Sequence, residues 1–203
     1  EGSFVDLPET REHAGPAGTL IVHAWSAPFS SIWESIGAEL ERRGEDPDKT
    51  FVWLDVLSMP QNMRLNLTSR WLTTTLCEGI GHVGNVFMVL HDFRDPVPLR
   101  RSWCIWETLA TIQQGVDLTV VMPRAQRAAF DEQVFMDMPG VIKAMFDRID
   151  SEKSRSAIAN DQLMILTCIR DSIGFDGANL VVRDRLMEWL SKISESQIKD
   201  PQR

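Results

Sequence analysis

The chain has 203 residues, 43% of them hydrophobic and 25% charged, with 21 basic against 29 acidic side chains and a formal net charge of −8. These totals suit one substantial globular domain, alone or with an appendage. The acidic balance argues against a nucleic acid or an anionic membrane surface as partner.

Residues 1–18 are polar, carry Pro8, Gly15, Pro16 and Gly18, and are expected to form a linker or tail. The start has no basic stretch leading into an apolar one, so no secretory signal is expected. It also lacks a Met, which reads as a domain within a longer chain. No apolar run reaches the roughly 18 residues of a membrane span. Cys77, Cys104 and Cys168 are odd in number and widely separated, which suits reduced thiols and not a disulfide framework or a zinc site. A cytoplasmic location is therefore expected.

Thr19 to Trp25 predicts a buried strand, and Ser26-Ala27-Pro28 a turn into a helix, since Pro is tolerated where the first helical amides lack partners. From Phe29 to Arg43, Ile32, Trp33, Ile36 and Leu40 recur at helical spacing, and Gly44 ends the run. Phe51 to Val56 predicts a second strand, Leu67 to Ile80 a helix, and Asn85 to Leu90 a third strand. A loop rich in Pro and charge, Asp92 to Pro98, leads into a helix closed by Gly115. Asp117 to Met122 predicts a fourth strand, stopped by Pro123. Short apolar strands alternating with helices indicate an α/β protein with a parallel sheet covered on both faces. The domain is expected over 19–150, with a helical C-terminal part over 151–198 packed on it and a tail over 199–203. Beyond Pro123, Val141–Ile149, Asp161–Ile173 and Asn179–Ile193 have helical periodicity, and Asp161 and Asn179 read as N-caps.

In such sheets the ligand crevice lies beyond the carboxyl ends of the strands. The segments leaving those ends are His23–Phe29, Asp55–Asn62 and His91–Glu107. The last contains Arg101-Ser102-Trp103-Cys104-Ile105-Trp106-Glu107, the most informative stretch of the chain. On a helical wheel Trp103, Ile105, Trp106, Leu109, Ala110 and Ile112 fall on one half. Cys104, Thr108 and Thr111 fall on the other, more polar half. Glu107 lies at the seam, one turn from Trp103 on the same face. A carboxylate on the lip of an aromatic surface is placed to hold a planar cationic group. The plainer reading, a solvated Glu at the edge of a buried face, is common among helices.

The order of elements and three motifs resemble a TIR domain, the flavodoxin-like module of innate-immune and cell-death proteins. Leu20–Trp25 and the helix after it resemble the family's first strand and substrate-facing loop. Phe51-Val52-Trp53-Leu54-Asp55 resembles its second strand with an acidic residue. Ser102-Trp103-Cys104-Ile105-Trp106-Glu107 resembles the Ser-x-Trp-Cys-Leu-x-Glu-Leu run of plant members. The likeness covers roughly residues 19–125 and is nearest to a divergent TIR-like group of protists and algae. It implies a flavodoxin-like sheet of four to five strands flanked by helices, with a helical C-terminal extension. It departs at Trp25 and Ser26, where many members have Arg or another polar residue, and at Leu57-Ser58-Met59-Pro60 in the second-strand loop.

In NAD-cleaving members the Glu of the run is the catalytic residue, so the resemblance implies Glu107 as the catalytic group of an NAD+ glycohydrolase. The products would be nicotinamide and ADP-ribose or its cyclic form, in immune, stress or cell-death signalling. NAD+ is then the substrate, and neither a separate cofactor nor a metal is implied. Chemically, one carboxylate suffices, because nicotinamide leaves as a neutral ring and needs no general acid. Trp103 is placed to stack on the cationic ring. Trp25, Ser26 and Phe29 would line the opposite wall, although Trp25 and Phe29 suit packing beneath the loop as well. Asp55 would shape its loop by accepting backbone hydrogen bonds or contact the substrate directly. Arg100 and Arg101 would reach a pyrophosphate or pair with Asp92 or Asp95. His23 reads as a core histidine. Cys104 has no convincing base with which to act as a nucleophile. The alternative is a non-catalytic module for protein–protein assembly through TIR-like surfaces. The partners implied are NAD+, further copies of the chain and other domains of a longer chain.

Overall fold

The computed structural model of the protein describes residues 2–60 and 67–199. Four parallel strands, β1 (Thr19–Val22), β2 (Val52–Trp53), β3 (Asn85–Val89) and β4 (Asp117–Val121), form one sheet in the order β2-β1-β3-β4. Thr19 lies opposite both Val52 and Asn85, and Asn85 opposite Asp117, so all four strands start level. The order is flavodoxin-like: the chain winds outward from β1 to β2, then crosses to β3 on β1's other side.

Alternate strand residues face opposite sides of the sheet, and each side has its own core. Ile21, Phe87, Val89 and Val121 pack with Ile32, Ile36 and Leu40 of α1 (Phe29–Arg43). Leu20, Val22, Val86, Met88, Leu118 and Val120 join the larger cluster on the other side. That cluster is built from α4 (Cys77–Val83), α5 (Ser102–Gln113), α6 (Arg124–Phe146), α7 (Ala159–Ser172) and α8 (Gly174–Lys199).

The helix α1 has the bounds the periodicity predicts. It ends because Gly44 takes the left-handed conformation (φ 68°), which lets Gly44 and Glu45 donate to Glu41 and Leu40 carbonyls at 3.0 and 2.9 Å. Strand β2 is shorter than predicted. It is an edge strand, and the chain turns at once into the short helix α2 (Asp55–Ser58), where Asp55 Oδ1 accepts the Val56 amide at 2.7 Å. The expected helix after it is present as α3 (Ser69–Trp71), a π-helical turn (Leu72–Leu76) and α4.

Three further expectations are corrected. The wheel's polar half of α5 is buried: Cys104, Thr108 and Thr111 share the helix face that meets the end of β1, where Cys104 Sγ reaches the His23 carbonyl, while α7 and α8 also pack on α5. The two threonines survive burial by donating to the Cys104 and Glu107 carbonyls, each at 2.7 Å. Helix α6 starts 17 residues before Val141, its periodicity broken by a kink at Asp137 (φ −151°, ψ 69°) with Pro139 just beyond. Asp161 and Asn179 are not N-caps: both lie inside their helices, and Asn179 Oδ1 instead accepts the Ser151 amide at 2.8 Å.

The segment before β1 is not a bare linker. It forms two 3-10 turns, Phe4–Asp6 and Arg11–His13, with Ser3 buried and hydrogen-bonded to Asp6. Of the expected tail, Lys199 still belongs to α8, and residues 200–203 lie outside the described ones. Among the described residues no helix is long and apolar enough to cross a membrane.

Candidate functional site

A cleft of about 870 Å³ opens at the carboxyl ends of β1 and β2. His23 and Trp25 reach it from β1, Trp53 and Asp55 from β2, and Arg101, Trp103, Cys104 and Glu107 from α5. Its size falls in the range of small-molecule sites. Gln61 and Asn62, which end the expected second-strand segment, lie outside the described residues.

Glu107 and Trp103 are only partly covered on a helix otherwise buried along most of its length. Their i, i+4 spacing puts both on the one strip of α5 that faces the cleft. The Glu107 carboxylate makes no hydrogen bond or ion pair with a described residue. Burial, and then the like charge of Asp55, push its pKa well above the ordinary carboxylate range.

Asp55 organises the opposite lip. Its Oδ1 holds the start of α2, and its Oδ2 accepts the Trp25 indole N–H at 2.7 Å. Trp25 is 56% exposed, so this bond fixes an indole that the core does not. His23 Nε2 lies 3.3 Å from Asp55 Oδ1 but finds no aligned hydrogen bond. Burial lowers the His23 pKa, against the opposing pull of Asp55, so the ring is neutral at neutral pH. Cys104 is unsuited to nucleophilic work: its Sγ donates to the His23 carbonyl at 3.2 Å, and burial pushes the thiol well above its usual pKa. His91 bonds Ser31 Oγ through Nδ1 at 2.7 Å.

Ser26 and Phe29 do not line this cleft among the described residues. The turn after β1 carries Ser26 over the top of the sheet into a separate hollow of about 220 Å³, shared with Ala24, Val89, His91 and Asp95. Phe29 opens α1 on the far face of the sheet and is 53% exposed. Arg100 pairs with Asp95 at 2.8 Å, whereas Arg101 lines the cleft.

One wall escapes the reading from sequence. The strap Ser156–Ile158 and the first turns of α7, including Asp161 and Met164, close the cleft beside Trp103. The strap is laced to the start of α5: Ser102 N donates to Arg155 O at 3.0 Å, and Arg155 N to Arg100 O at 2.9 Å. The Trp103 indole N–H donates to Asp161 Oδ2 at 3.3 Å. Trp71 and Met59 add further apolar surface. The only local signal for this wall was Asp161, whose position at a helix start suggested a cap.

Fold and site together define a flavodoxin-like α/β protein with an aromatic cleft at its strand tips and an uncompensated carboxyl group inside it. No protein-family model matches the chain, and no curated protein or solved structure matches it either. Among the described residues no group of three or more His, Cys, Asp or Glu is placed to hold a metal ion.

Proposed function

We propose that the protein is a TIR-type NAD+ glycohydrolase that cleaves the bond between nicotinamide and ribose. The observation that carries this reading is the unpaired Glu107 carboxyl group, set beside Trp103 in an open cleft. In the reaction the C1′–N bond breaks with its electron pair going to the ring nitrogen, and nicotinamide departs neutral. Positive charge moves to the ribosyl carbon, where an ionised Glu107 stabilises it. A water oxygen then bonds to C1′ and sheds a proton, giving ADP-ribose; attack by the adenine ring instead gives the cyclic product. The pyridinium ring of the bound substrate favours the ionised form of Glu107, opposing the burial that raises its pKa. Arg101 is the cleft residue suited to the pyrophosphate. The expected setting is immune, stress or cell-death signalling in the cytoplasm.

Incubation of the purified protein with NAD+ and assay of nicotinamide tests the proposal. Wild-type release that disappears in Glu107→Gln supports it, and release retained by that variant removes Glu107 from the mechanism.

A second reading, a non-catalytic assembly module, draws on one observation. Phe29 and Trp33 are 53% and 63% exposed at i, i+4 positions of α1, an apolar strip suited to another protein surface. The two readings combine if neighbouring copies complete the cleft. Specific activity that climbs with protein concentration supports that combination, and strict proportionality of rate to concentration counts against it.

A further inference from the structure

We infer that Asp161 is a positioning residue for substrate binding, acting through Trp103 across the joint between α7 and α5; this rests on the glycohydrolase reading of the same cleft. Trp103 and Asp161 are 58 residues apart, and the indole N–H has its hydrogen bond to this carboxylate at 3.3 Å. Trp103 is only partly covered where it packs on the larger core, so a fixed hydrogen-bond partner adds to what holds its indole in place. Asp161 is itself well held. It is the third residue of α7, where free backbone amides favour a negative charge. Just before that helix, Ser156 N donates to Gln162 Oε1 at 3.2 Å, and the Arg155 backbone is bonded on both sides to the start of α5. The carboxylate is thus a fixed acceptor that sets the plane of the ring nearest Glu107 on the helix face.

Two consequences follow for a pyridinium substrate. An anion on the indole N–H makes the ring face more electron-rich, which strengthens its attraction for a cation. That attraction is present in the ground state and fades as nicotinamide becomes neutral on leaving. Asp161 therefore tightens substrate binding without lowering the chemical barrier: its loss raises KM and does not reduce kcat, because an interaction absent from the transition state stabilises only the bound substrate.

The test compares the wild type with Asp161→Ser, which is too short to reach the indole, and Asp161→Asn, which keeps an acceptor oxygen. The first readout is binding of the N-methylnicotinamide cation, a pyridinium without a ribosyl bond to cleave, followed by quenching of tryptophan fluorescence. Asp161→Ser is expected to weaken binding roughly fivefold, with Asp161→Asn restoring most of it and neutral nicotinamide responding little to either change. The second readout is NAD+ turnover, where Asp161→Ser is expected to raise KM by a similar factor with kcat undiminished or raised. Equal cation affinity in wild type and Asp161→Ser, or no cation binding by the wild type, overturns the inference. A fall in kcat with KM unchanged also overturns it. If the wild type releases no nicotinamide yet binds the cation in an Asp161-dependent manner, the glycohydrolase reading fails while the positioning role stands.

Discussion

Two glutamates shielded from water in this protein are treated in opposite ways. Glu39, on α1, is 6% exposed and held by two arginines: Arg42 Nε and Nη2 donate to it at 2.8 and 2.6 Å, and Arg43 Nε at 2.7 Å. Burial works to raise its pKa, but the hydrogen bonds from Arg42 and Arg43 outweigh that and hold it below the ordinary range. Arg43 then continues to Asn85 Oδ1 and Thr119 Oγ1 at 3.3 and 3.0 Å and covers the Phe87 ring, joining α1 to β3 and β4. Glu107, at the other end of the sheet, has no such cation, and burial there raises its pKa. A buried charge that serves the fold is neutralised by the fold. One left without its counterion is suited to accept charge from outside.

Four measurements break or sharpen this contrast. The largest effect expected is on turnover: Glu107→Ala should reduce nicotinamide release by at least about 100-fold, with an unchanged circular dichroism spectrum. Glu39→Ala should do the reverse. It strips the partner from two arginines, so urea denaturation should show a loss of about 3 kcal/mol, while NAD+ affinity per folded molecule stays as it was. Third, Asp55→Asn removes the like charge that helps raise the Glu107 pKa while keeping an acceptor for Trp25. The rising limb of the pH–rate profile, which reports ionisation of Glu107, should therefore move to lower pH. The smallest effect separates the two glutamates by stability alone. A carboxyl group whose pKa is raised by folding stabilises the protein below its unfolded pKa and loses that contribution as pH rises through the folded value. Glu107→Gln should thus melt about 2–4 °C above wild type at pH 8 and level with it near pH 4. Glu39 has the opposite sign, since its lowered pKa gives stability that disappears as the pH falls.

The sheet and α1 were legible because their signals are local. Continuous apolar runs such as Asn85–Leu90 and the Ile32, Ile36, Leu40 stripe with Gly44 after it need no distant partner to be read. The lip of the cleft was half legible. Trp103 and Glu107 could be placed together from helical spacing, and Asp55 could be given its backbone hydrogen bond. Ser26 and Phe29 were misplaced because a turn's exit direction is set by three-dimensional packing and not by residue type. The misreading of Cys104, Thr108 and Thr111 has a related cause. Small polar residues can be buried at low cost when they bond their own helix, so a wheel coloured by polarity took for solvent-facing the strip of α5 that meets the end of β1.

The lacing of Arg155 to the start of α5 has a consequence for how the molecule could be divided. A boundary drawn after Asp150 looks natural on paper, since every strand precedes it. Cut there, the piece would keep its sheet but surrender the outer jaw of the cleft and the covering over Ile105 and Leu109. Sheet and helical extension thus share one hydrophobic core, and a shortened version assayed for catalysis would be expected to aggregate before it could answer the question.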